Sequence, residues 1–148
     1  KVYRTAIDTY LKERENWYVR PEWIAELEKI SHRPYTDGFA NGRPDESAQN
    51  YGKSTNTQTH DFIGLVLGYN DEEKYVDLEQ RNNFKVGDKV EFCQPKGELV
   101  EAVIEKMTDE EGNPIDVAPH AQMRVRLYMD TKLEPYSMMR RECKVKAE

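Results

Sequence analysis

Three histidines and two cysteines carry the widest chemical repertoire in this 148-residue chain, and their spacing limits what they can do. His32, His60 and His120 lie far apart, without the i, i+4 spacing that sets two imidazoles on one helix face for zinc. Cys93 sits in VEFCQ with Glu91 two residues before it, whereas a reactive thiolate needs electropositive surroundings. A structural role is expected for it, with alternation placing it opposite Val90 and Phe92 on an outer face. Cys143 falls in a charged tail, and neither thiol has a Cys or His at ligand spacing. No elbow motif presents a Ser, Cys or Thr to an oriented base. No metal centre and no catalytic residue is therefore assigned to this chain.

The octapeptide HRPYTDGF, residues 32–39, is the stretch that ordinary packing explains least. It carries two aromatics between a helical segment and a long polar run. One reading makes it a docking corner: Pro34 ends the helix, Asp37-Gly38 turns the chain, and Tyr35 and Phe39 pack against another domain, where aromatics contribute most. Arg33 would pin the corner to a carboxylate, since guanidinium suits fixed bidentate contacts. A second reading makes His32, Arg33 and Tyr35 part of a substrate or RNA surface. His32 also has a plain role, because an imidazole at a helix end favours the last carbonyls.

Arginines supply the other candidate surface. Arg124 and Arg126 project to the same side of one strand, and with Arg81, Arg140 and Arg141 they would form a phosphate-binding face if they gather together. Charge argues against a broad one. Residues 1–60 hold nine basic and nine acidic side chains, and residues 61–148 hold 13 and 19, so 13 − 19 gives the whole net charge of −6.

The elements that must position these residues change character near His60. Val2, Tyr3, Ala6, Ile7, Tyr10 and Leu11 predict an amphipathic helix to about Arg14. A second helix should start at Pro21, a residue suited to the first helical position, with Trp23, Ile24, Leu27 and Ile30 on one face. Residues 36–60, rich in Gly, Asn, Ser and Pro, read as a loop or linker. Beyond it the period becomes two. DFIGLVLGYN, KYVDLEQ, DKVEFCQ, GELVEAVIEKM, MRVRLYMD and YSMMRRE read as six strands, MRVRLYMD setting Met123, Val125, Leu127 and Met129 on one side and Arg124, Arg126 and Tyr128 on the other.

These strands, with turns and no helix between them, predict a mainly β fold with N-terminal helices, closed into a small antiparallel β-barrel that hides Phe62, Val90 and Val125. Gly64 and Gly68 fit a bulge or bend, and Gly87-Asp88 a tight turn. TDEEGNPID reads as a solvated acidic hairpin, because it lacks the alternating ligands of a calcium loop. The expected organisation is a helical segment over residues 1–35, a loop over 36–60 and the barrel over 61–148. No apolar run approaches the roughly 20 residues of a membrane span, and two unclustered cysteines point to reduced thiols in the cytoplasm.

HRPYTDGF, then FIGLVLGY, LEQRNNFKVGDKVEF and MRVRLYMD, in that order over roughly residues 20–141, resemble the C-terminal region of peptidase family U32. The resemblance implies a piece of a larger enzyme whose catalytic part lies before Lys1. It implies a family classed as collagenase-like peptidases, with similar proteins acting in hydroxylation of RNA bases in bacteria. An iron–sulfur cluster would belong to that N-terminal part and no cofactor to this one. The barrel itself would resemble the second domain of translation elongation factors. On this resemblance the chain is an accessory barrel that partners its own catalytic domain and positions a polypeptide or RNA substrate. The alternative is a module that binds transfer or ribosomal RNA.

Overall fold

The computed structural model describes residues 1–33, 35–46 and 58–143. They divide into a helical unit, Val2–His60 with Cys143, and a β unit, Asp61–Glu142. Pro34, and with it the expected proline stop, lies outside the described residues, as do residues 47–57 of the polar run.

The helical unit holds α1 (Val2–Glu13), a 3-10 turn (Arg14–Asn16) and α2 (Pro21–Leu27). Arg14 adopts a φ of 40°, which ends α1 where the amphipathic stripe runs out. The Trp17 indole N–H donates to the Ala6 carbonyl at 3.1 Å, and Trp17 packs on Tyr10 and Trp23. Arg20 forks onto both carboxylate oxygens of Glu13 and lies over the Trp23 ring. That hydrogen bond to Glu13 is the main cause that raises the Arg20 pKa. The second helix closes earlier than the sequence suggested. Lys29 N–H bonds the Glu26 carbonyl in a tightened turn, and Ile30 lies beyond the helix and exposed. Tyr3, Ile7, Tyr10 and Leu11 are also exposed.

The β unit contains β1 (His60–Asn70), β2 (Tyr75–Gln80), β3 (Phe84–Lys85), β4 (Lys89–Cys93), β5 (Leu99–Val103), β6 (Met107–Asp109), β7 (Pro114–Ile115), β8 (Val117–Ala118), β9 (Arg124–Tyr128) and β10 (Met138–Glu142). Eight strands form one sheet in the order β5-β4-β10-β1-β2-β9-β6-β7, and β3 pairs with β8 in a second. All six anticipated strands are present, with GELVEAVIEKM split into β5 and β6.

That split shapes the sheet. Between Val103 and Met107 the chain covers at most ~14 Å in four steps, whereas six strand spacings of ~4.8 Å would separate β5 from β6 by ~29 Å in a flat sheet. The sheet must roll up. A single core accordingly collects Ile63 and Val66, Val76 and Leu78, Phe84, Val90 and Phe92, Met107, Val125 and Leu127, and Met139. Burying each such side chain contributes roughly 1.5–3 kcal/mol.

The roll stops short of the closed barrel that the sequence suggested. No ladder joins β5 to β6 or β7 among the described residues. Ile104, just past β5, exchanges backbone hydrogen bonds with Gly87 and Asp88 in the β3–β4 turn instead. At the other edge β7 has two residues, of which Pro114 has no N–H to extend the sheet.

Glycine placement follows local demands. Gly64 faces the core, where a Cβ would lie 3.0 Å from Met139 Cε. The β1–β2 register shifts between Val66 and Gly68, the expected bulge. Gly87 has a φ of 90° in a turn closed by Asp88 N–H to the Lys85 carbonyl.

Two burial expectations are corrected. Phe62 is 44% exposed, and Ile63 and Val66 fill the core instead. Cys93 is buried rather than outward and open, since β4 is an interior strand with Leu99 and Met138 as its register partners. No helix among the described residues is long and apolar enough to cross a membrane.

Candidate nucleic-acid interface

Cross-strand register on β2 and β9 builds the most distinctive aromatic and charged face of the β unit, on which Tyr75 is buried and Tyr128 and Arg126 are half-buried. Val76 and Leu78 point inward with Val125 and Leu127, so Tyr75, Asp77 and Glu79 share the opposite face with Tyr128, Arg126 and Arg124. Their register pairs are Tyr75 with Tyr128, Asp77 with Arg126 and Glu79 with Arg124. The two tyrosine rings meet edge to face at 5.8 Å. Arg126 lies diagonally over Tyr75 at 5.3 Å, and Lys106 lies over Tyr128 at 4.3 Å. Lys106 reaches that ring because its carbonyl accepts the Tyr128 N–H.

Carboxylates interrupt this face. Arg81 binds Glu79 at 2.5 Å, and Glu79 in turn opposes Arg124. Arg124 also borders a cleft of about 320 Å³ lined by Asp109, Glu110, Glu111, Gln122 and Met123. Asp109 organises the β6–β7 turn, accepting N–H bonds from Glu111 and Asn113 and one from the Asn113 amide. The Asn113 side-chain bond, aided by the backbone bonds, holds the Asp109 carboxyl below its ordinary range. The acidic side of this region therefore repels phosphate, and Lys106, Arg126 and the half-buried Tyr128 attract anions and flat rings.

The five arginines do not form one patch. Arg124 and Arg126 lie on β9 and Arg81 just past the end of β2, bound to Glu79, whereas β10 carries Arg140 and Arg141 on the far side of β1 in the sheet order. Arg140 is buried against Glu91, and Arg141 binds Asp88 at 2.5 Å. Sequence reasoning missed Lys106, Tyr75 and Tyr128 as site residues. Alternation had put Tyr128 on the wet side with the arginines, which was the available signal.

In the helical unit, the octapeptide forms a local structure of its own. His32 Nδ1 lies 2.8 Å from the Ile30 carbonyl, and its ring stacks on Tyr35 with centroids 4.4 Å apart and planes 9° from parallel. The Tyr35 hydroxyl donates to the Leu27 carbonyl at 2.9 Å. Arg33 is exposed, and Phe39 is 79% exposed in a turn where Gly38 has a φ of 53°.

Among the described residues no group of three or more His, Cys, Asp or Glu side chains is placed to hold a metal ion. Two thiols, one of them buried, do not fit a cubane iron–sulfur cluster, which takes four.

A rolled antiparallel β unit after a short helical one defines a class with close solved counterparts. Residues 58–140 match the peptidase family U32 C-terminal domain, and residues 1–50 match peptidase family U32. The chain belongs to peptidase family U32. The crystal structure of the C-terminal domain of a putative U32 peptidase from Geobacillus thermoleovorans shares 46% identity in its selenomethionine variant, with a TM-score of 0.53, covering 55% of this chain and 99% of that one. The tRNA hydroxylation protein P1 of Bacillus subtilis is 41% identical over 140 residues, covering 95% of this chain and 33% of the relative. The tRNA hydroxylation protein P of Escherichia coli is 30% identical over 139 residues, covering 90% and 29%. This chain thus spans about a third of the length of these curated relatives.

Proposed function

We propose that this chain is the C-terminal portion of a tRNA hydroxylation protein of the U32 family, and that its β unit is an accessory module that holds tRNA for a catalytic portion outside these residues. The observation that carries this reading is the outer face of β2 and β9, where Lys106 and Arg126 lie over Tyr128 and Tyr75. Lys106 and Arg126 offer phosphate contacts and the half-buried Tyr128 an aromatic ring beside them, with Tyr75 buried beneath Arg126; cation and aromatic together are what single-stranded nucleic acid uses. The names of the relatives favour RNA over a polypeptide substrate. The tRNA would be met in the cytoplasm. An iron–sulfur cluster of the whole protein would take its cysteines from the catalytic portion.

The acidic balance of the chain sets the size of the effect. With Asp77 and Glu79 interleaved, only Lys106 and Arg126 are assigned to phosphates, so log affinity should fall with log salt at a slope of about −1.5. Titrating tRNA across a salt series tests this. The Lys106→Ala/Arg126→Ala double variant should bind more weakly and lose most of the slope. Absence of saturable tRNA binding, or an unchanged slope in the variant, would refute the reading.

A further inference from the structure

We propose that the stacked His32–Tyr35 pair of the helical unit is a platform for a splayed-out RNA base, with Arg33 beside it for the adjoining phosphate. This inference rests on the reading of RNA as the ligand, and it adds a second contact on a different unit of the chain.

Both rings are fixed before any ligand arrives. The Ile30 carbonyl can only accept, so the 2.8 Å contact places a proton on His32 Nδ1 and sets the orientation of the ring. The Tyr35 hydroxyl is tied to the Leu27 carbonyl, which removes much of the freedom of the second ring. The two planes lie 9° from parallel at 4.4 Å, so His32 covers one face of Tyr35. Tyr35 remains 59% exposed, which leaves its opposite face available to a third flat ring.

A planar surface fixed by backbone carbonyls suits base stacking, because every base has a π face and the rings lose little entropy on binding. The exposed Arg33 adjoins the platform in sequence and adds a guanidinium, the group suited to phosphate.

The test uses the whole 148-residue chain with unfractionated tRNA and a short mixed-sequence single strand. Tyr35→Ala should weaken binding of both about tenfold, whereas Tyr35→Phe, which keeps the ring, should stay within about twofold. Ring-current shifts of the His32 and Tyr35 resonances on adding the single strand to the wild-type chain give a readout independent of whether the alanine variant folds. Ring signals that do not move, with tRNA still bound through Lys106 and Arg126, would overturn the platform alone. A wild-type chain that binds no tRNA would overturn the platform and the RNA reading together. Shifts produced by an aromatic peptide and not by the single strand would assign the platform to a polypeptide and overturn the proposal.

Discussion

Arg140 Nη2 lies 3.2 Å from Glu91 Oε2, across register-paired positions of β10 and β4, with both side chains about nine-tenths buried. One of the five candidate phosphate-binding arginines is thereby committed to the fold.

Removing one member leaves a charge in a poorly hydrated place. Arg140→Ala or Glu91→Ala should lower unfolding free energy by about 3–5 kcal/mol, and the double change to methionine should cost much less. Urea midpoints check this. An Arg140→Ala variant within ~0.5 kcal/mol of wild type, the size of an ordinary surface change, would show that the pair is effectively solvated.

Gly64 allows β1 to approach Met139. A Cβ there would meet Met139 Cε at 3.0 Å and the Leu78 side chain at 3.5 Å, so Gly64→Ala should destabilise by about 1–3 kcal/mol. Adding Met139→Ala should make the two effects strongly non-additive in a double-mutant cycle. Simple additivity would place the strain elsewhere.

The β6–β7 turn should respond to acid. The Asn113 side-chain bond, opposed by desolvation and supported by backbone N–H bonds from Asn113, Glu111 and Gly112, lowers the Asp109 pKa. A depressed folded pKa means that its stabilisation is complete above the ordinary carboxylate range and is lost as pH falls through the lowered value. Carboxyl-carbon NMR should show Asp109 titrating below an ordinary aspartate, and Asn113→Ala should move its midpoint up. A midpoint that stays put would assign the shift to another cause.

Much of the β unit was legible because alternation is a local signal. Val125 and Leu127 inward, with Arg124, Arg126 and Tyr128 outward, follow from period two alone. The remainder depends on pairings that the local pattern does not contain. Lys106 becomes part of a site only because β6 registers with β9 and bonds Tyr128. Arg140 counted among the candidate phosphate-binding arginines until β10 lay beside β4, and Cys93 looked outward because alternation cannot tell an interior strand from an open one. Closure failed for a similar reason, since the short, proline-bearing β7 and the bonding of Ile104 to the β3–β4 turn are tertiary choices. In the octapeptide the aromatics stood out, and the carbonyl bonds that hold His32 and Tyr35 in a stack did not.

Ultraviolet crosslinking of the chain to tRNA, with the attachment points read by mass spectrometry, tests the RNA-contact role of the β unit most directly. Crosslinks on the peptides bearing Lys106 and Tyr128, lost when Tyr128→Ala is introduced, are the predicted result. Crosslinks confined to β4 and β5, or none within Asp61–Glu142, would contradict it.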